Sequence, residues 1–107
     1  MKITAVTTFV TSMPMVISGD TPMVGGRPRT TIETLLVRVD TDAGISGWGE
    51  AFGHRVWPVT RTAIDRMLTP LCIGRDPTAI SALMHDLAHA VHGAGRNGPA
   101  MYGMSAI

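Results

Sequence analysis

The sequence has 107 residues, a formal charge of +1 and 45% apolar side chains. That is one domain's length with material for a modest core. A near-neutral balance, with the nine basic residues dispersed and Lys2 the only lysine, argues against nucleic acid or an anionic membrane surface as partner. No apolar run approaches the roughly 18 residues of a membrane span, and "KITAVTTFV" after Met1 is not a signal peptide. Cys72 is the only cysteine. It cannot form an internal disulfide, which points to an intracellular, cytoplasmic setting, and its apolar neighbours in "PLCIG" make it a core residue rather than a nucleophile.

Residues 2–11, "KITAVTTFVT", are rich in β-branched side chains and read as a strand. Residues 12–29 read as one long irregular loop. They hold Pro14, Pro22 and Pro28, Gly19, Gly25 and Gly26, and three methionines. Loops of this length in compact domains are often lids or binding loops. Residues 30–40, "TTIETLLVRVD", read as a second strand, with Leu35, Val37 and Val39 facing one way and Leu36 and Arg38 the other. "TDAG" is a hairpin turn with its glycine where a positive φ is needed. Residues 45–52 return as a third strand. The expected sheet is a three-stranded antiparallel meander.

The period changes after Pro58. Val59, Ala63, Ile64, Met67, Leu68 and Leu71 form one helical stripe, with Pro70 and Gly74 expected to end the helix. Asp76-Pro77 reads as an N-cap followed by proline at the first helical position. Ile80, Leu83, Met84, Leu87 and Val91 give a second stripe, stopped by Gly93 and Gly95. A third helical segment begins at Pro99. Ser105-Ala106-Ile107 is neither a cap nor a polar tail, so the expectation is a fragment ending where a further domain would begin. The fold class is α+β: the meander followed by a helical bundle.

"ISGWGEAF" places Gly47 and Gly49 on one face of a strand and Trp48 on the other. Glycine inside a strand often marks the approach of another backbone or a ligand. The bare strip therefore predicts a second domain or a substrate beside it.

Three segments carry a resemblance to a known family. "TLLVRVDTDAGISGWGEAF" resembles the strand-turn-strand signature of the N-terminal capping domain of the enolase superfamily, in its mandelate racemase and muconate lactonizing enzyme branch. "PLCIGRDPTAI" resembles the link between that domain's first two helices, and "GMSAI" the start of the segment leading to the family's barrel. The resemblance covers Lys2 to Ile107. It implies that residues 1–107 are a capping domain, with the long first loop and the loop after the third strand closing over the mouth of a (β/α)-barrel. A barrel of that type takes about 200 residues or more, so it is absent from this chain. The resemblance places the ligands of a Mg²⁺ ion and the acid and base groups on that barrel. It thus assigns this chain no catalytic or metal-binding residue and leaves independent catalysis unexpected. It further implies a homo-oligomeric parent enzyme.

Candidate substrate-binding residues lie in the two loops. They are Val16, Ile17, Met23, Arg27 and Arg29 in the first, and His54, Arg55 and Trp57 after the third strand. Guanidinium groups, a histidine and an indole suit a small carboxylate such as an acid sugar or related hydroxy acid. Glu50 reads as a residue that fixes strand-end geometry. His85, His89 and His92 share a helical face at metal-ligand spacing. That face lies nearly opposite the apolar stripe, so the reading is a surface stripe. The expected reaction of the parent is α-proton abstraction followed by dehydration, with racemisation or cycloisomerisation as alternatives. A free-standing interaction domain, binding a partner through loop 12–29, is the reading from a different class.

Overall fold

The computed structural model describes all of residues 1–107. Five strands form, β1 (Ile3–Pro14), β2 (Met23–Val24), β3 (Arg27–Pro28), β4 (Thr31–Thr41) and β5 (Ser46–Ala51). The main sheet is antiparallel in the order β1-β4-β5, and β2 and β3 make a separate small hairpin. The meander is thus as the alternation of β-branched and apolar residues predicts, and Gly44 takes φ 74° in its turn.

Two features of the first loop differ from the sequence reading. β1 runs on through Ser12, Met13 and Pro14, which pair with Glu33, Ile32 and Thr31. β1 is an edge strand, so a proline lacking its N–H is tolerated at its end. Residues 22–29 are not irregular either. Met23 pairs with Pro28 and Val24 with Arg27, around Gly25 and Gly26 at φ 60° and 73°. Two successive positive φ values define the type I′ turn favoured in two-residue hairpins.

Helix α1 (Trp57–Thr62) runs through a π-helical segment (Ala63–Leu68) into α2 (Thr69–Cys72). Pro70 therefore sits inside the helical run rather than ending it, and Gly74, at φ 80°, follows its end. Pro70 cannot donate to the carbonyl four residues back, and its ring would crowd that carbonyl. The chain widens just before it, and Thr69 N–H bonds to the carbonyl of Ile64, five residues back. The wide turn also moves the buried stripe. Thr60, Ile64, Leu68 and Cys72 are fully buried, while Val59, Met67 and Leu71 are exposed. A four-residue spacing overshoots an α-turn by about 40° per step, and the π segment takes up that drift.

Asp76 caps a turn, not a helix. Its carboxylate accepts from Thr78 N–H at 2.9 Å and from the Thr78 hydroxyl at 2.7 Å. Helix α3 (Ile80–Ala90) starts later and has no side-chain cap. Leu83, Leu87 and Val91 are buried as expected, but Ile80 at the first turn is exposed. α3 stops ahead of Gly93, and a 3₁₀ turn (His92–Ala94) leads to Gly95 at φ 88°. Helix α4 (Pro99–Ala106) closes the fold.

The core lies between the inner face of the sheet and the helices. Ile3, Val6, Leu35, Val37 and Ala51 meet Ile64, Leu68, Cys72, Leu83, Leu87, Ala100 and Ala106 there. Burial raises the Cys72 thiol pKa, as expected of a thiol used as packing. α4 approaches β5 so closely that a Cβ on Gly49 would collide with the carbonyl of Ala106. The glycine strip is therefore bare only at Gly47, and what meets Gly49 is a helix of the same chain. On the outer face Arg38 lies 5.5 Å from the centre of the Phe9 ring and 5.7 Å from that of Trp48. No helix is long and apolar enough to cross a membrane.

Candidate functional site

Beyond the core, at the end of the sheet where β4 begins, the first loop and the loop after β5 face each other. The first loop rises from a paired stem, with Met15 N–H bonded to Thr30 carbonyl and Arg29 N–H to Pro22 carbonyl, both at 2.8 Å. The second loop leaves β5 at Ala51 and turns through Phe52 and Gly53 into a 3₁₀ turn (His54–Val56) that enters α1. Gly53 passes tightly over β4, where a Cβ would stand 2.6 Å from the carbonyl oxygen of Glu33. That approach sets His54 beside the start of β4. His54 pays with φ 33°, a left-handed value that costs a non-glycine residue on the order of 1–2 kcal/mol.

Two open grooves result. One, of about 700 Å³, is lined by Arg29, Ile32, Glu33, Thr34, Glu50, Ala51, Phe52, Gly53 and His54. The other, of about 290 Å³, is lined by Pro28, Arg29, Thr30, Thr31, Glu33, His54, Arg55 and Trp57. Arg29, Glu33 and His54 line both, so they form the wall between them. Phe52 packs at a tilt on Tyr102 of α4, with ring centres 5.0 Å apart, which ties the larger groove to the helices.

The electrostatics are mixed and polar. The Thr31 hydroxyl donates to Glu33 Oε1 at 2.7 Å. This bond is the main cause holding the Glu33 carboxyl below its ordinary pKa, and Arg29 and His54 act in the same direction. Glu33 is thus an ionised acceptor for hydroxyl or ammonium donors. Arg55 has no carboxylate within ion-pair distance, which leaves its guanidinium open to an anion.

Of the residues singled out in the sequence, Arg29, His54, Arg55 and Trp57 come together at these grooves. Trp57 also packs against the core. Val16, Ile17, Met23 and Arg27 line neither groove and are exposed, Val16 to 93%. Glu50 lines the larger groove, and Glu33 was missed. Its signal was legible. It shares the parity of Leu35, Val37 and Val39, and a carboxylate on a core-facing row marks the point where the row leaves the core.

No three His, Cys, Asp or Glu side chains gather as a metal-holding cluster, so the residues of this chain do not compose a magnesium site. His85, His89 and His92 are all exposed. His92 Nδ1 lies 2.9 Å from the His89 carbonyl and its ring stacks on that of His89 at 6.0 Å, which does not bring three ring nitrogens to one point.

A family model described as mandelate racemase / muconate lactonizing enzyme, N-terminal domain, matches residues 2–107. A D-galactonate dehydratase family member of Musicola paradisiaca is 40% identical over 72 residues, which is 65% of this chain and 16% of that protein. The L-Ala-D/L-Glu epimerase of Bacillus subtilis is 32% identical over 68 residues, covering 59% of this chain and 19% of the epimerase. A crystal structure of an enolase superfamily member from Agrobacterium tumefaciens superposes with a TM-score of 0.80 at 25% identity, over 98% of this chain and 31% of that one. The chain therefore matches under a fifth of the length of these curated relatives. With three antiparallel strands, a following set of helices and a match over almost its whole length, the chain belongs to the mandelate racemase / muconate lactonizing enzyme family, as an N-terminal domain of the enolase superfamily.

Proposed function

We propose that this domain caps the active site of an enzyme that removes the α-proton of a small carboxylate substrate, and that its two loops choose the substrate. The observation that carries the reading is the wall of Arg29, Glu33 and His54, built from both loops and the start of β4 and open on two sides. The guanidinium of Arg29, with that of Arg55 in the smaller groove, holds a carboxylate, and the ionised Glu33 accepts from hydroxyls. Both features suit an acid sugar, and relatives named as sugar-acid dehydratases support that class. The proton transfer would belong to groups outside this chain, on a barrel whose carboxylates would hold Mg²⁺, and the metal would there supply charge stabilisation. The loops of this chain orient the substrate and exclude water.

Epimerisation is the second reading, favoured by the similarity to L-Ala-D/L-Glu epimerase. An enzyme carrying this domain and a barrel, incubated with aldonic acids and with dipeptides in deuterium oxide, separates the two. A 2-keto-3-deoxy acid product supports dehydration. Exchange and inversion at the α-carbon without loss of water supports epimerisation. If neither occurs, an interaction domain, using the exposed Val16, Ile17 and Met23, becomes the better account. The 107-residue chain alone is expected to catalyse no α-proton exchange. Its single lysine, Lys2, precedes Ile3, which pairs with Thr41 at the end of the sheet opposite the grooves.

A further inference from the structure

Arg55 does more than line the smaller groove. The tip of its guanidinium abuts Gly25, across the gap between the two loops. A Cβ on Gly25 would stand 2.7 Å from Arg55 Nη1, closer than real Cβ contacts come, whereas a Cβ on Gly26 would meet nothing within 4 Å. Both glycines occupy the left-handed region, and a type I′ turn accepts asparagine there almost as readily as glycine. Turn geometry thus explains a glycine or asparagine at either position. Only at 25 would a side chain have to displace a neighbour, the tip of the Arg55 side chain.

The hairpin also needs an outside contact. β2 and β3 pair over two residues each, Met23 is exposed, and an isolated hairpin of this size is marginal in water. Arg55 has no competing carboxylate, so no ion pair draws its guanidinium away from the hairpin.

We infer that Arg55 is a positioning residue that seats the tip of the β2–β3 hairpin on the second loop, so that the two sides of the cleft move as one unit. Arg55 belongs to the 3₁₀ turn that follows Gly53, and Gly53 is pressed on β4. Arg55 therefore links the tip of the hairpin to the rigid sheet by way of the second loop. The meaning of this contact for catalysis rests on the capping function proposed above, but the contact is a property of the chain itself.

Amide hydrogen exchange over residues 22–29 of the 107-residue chain tests it, with Arg29 N–H, bonded to Pro22 carbonyl, as the main reporter. Five proteins are compared: the unaltered chain, Gly25→Asn, Gly26→Asn, Arg55→Gln and the Gly25→Asn/Arg55→Gln double variant. Arg55→Gln and Gly25→Asn are each expected to speed exchange about fivefold, as loss of one local contact does. Gly26→Asn is expected to leave it unchanged. The double variant should exchange no faster than the faster single one, because both changes remove the same contact. Unchanged exchange in Arg55→Gln, equal acceleration at positions 25 and 26, or additive effects in the double variant would overturn the inference. None of these outcomes involves a substrate, so the capping function stands or falls separately, on the kinetics of the enzyme with its barrel.

Discussion

The carbonyl of Ala106 occupies the space that a side chain on Gly49 would need. This is where α4 locks onto the edge of the sheet. Backbone cannot rotate out of the way as a side-chain tip can, so Gly49→Ala should push α4 off β5 and cost about 1–3 kcal/mol, the usual range for overpacking. Gly47→Ala is the control, because a Cβ there meets nothing within 4 Å. It should be neutral or stabilising by roughly 0.5 kcal/mol through reduced chain entropy. Urea unfolding of the two variants checks both. Equal stabilities would mean that the contact between β5 and α4 is loose.

A second prediction concerns acid. The folded pKa values of Glu33, Asp40 and Asp76 lie below their ordinary values, chiefly through hydrogen bonds from Thr31, Ser46 and Thr78 respectively. A depressed carboxyl contributes stability that is complete above its unfolded pKa and lost as pH falls through its folded one. The domain should therefore lose stability on the acid side of the ordinary carboxylate range. Glu33 and Asp40 are half-buried and Asp76 is exposed, and all three reach solvent, so each contribution is screened. Thr31→Val should return Glu33 toward its ordinary pKa without unfolding the chain, as read from the carboxyl carbon shift in an NMR titration. An unmoved midpoint would exclude the Thr31 hydroxyl as the cause.

The histidines of α3 and the following turn give a third. Replacing His85, His89 and His92 together by glutamine should change stability by no more than about 0.5 kcal/mol, as exposed substitutions usually do. Their rings bury little and converge on no common point. A fall of many degrees in thermal midpoint, or a midpoint that rises with added zinc only in the unaltered chain, would show a structural ion in place of a surface stripe.

The sheet was legible because the alternation in "TLLVRVD" carries its own register, and the turn glycine Gly44 marks where the chain reverses. The helical face at 57–72 was less so. Val59, Met67 and Leu71 fit an ideal α-period, and only the wide turn ahead of Pro70 rotates Thr60 and Cys72 inward in their place. Pro70 reads as a terminator in sequence because the widening that accommodates it is a tertiary compromise. The site was half visible. Residue type picked out Arg29, His54 and Arg55 in two loops far apart in sequence, but the tight passage of Gly53 over Glu33, which joins them, depends on three-dimensional packing.

The last prediction concerns the first loop as a substrate lid. Its stem is fixed by the Met15–Thr30 hydrogen bond, and it carries Val16, Ile17 and Met23 with much of their apolar surface exposed. Exposed apolar area costs about 25 cal/mol per Å², so these side chains are expected to meet a barrel mouth, a substrate or a neighbouring subunit. Methionine suits such a surface because its unbranched chain adapts in shape. Replacing residues 16–28 by a short glycine linker would leave Met15 and Thr30 paired and remove no core residue. In an enzyme carrying this domain and its barrel, the replacement should raise KM and weaken the preference among acid sugars. It should lower kcat less, because the proton-transfer groups lie elsewhere and the lid acts on orientation and water exclusion. Steady-state kinetics over a panel of aldonic acids reads this directly, with circular dichroism as the check on folding. An unchanged KM and an unchanged substrate profile in a folded variant would show that the loop is no lid, and its apolar residues would then be assigned to a protein partner.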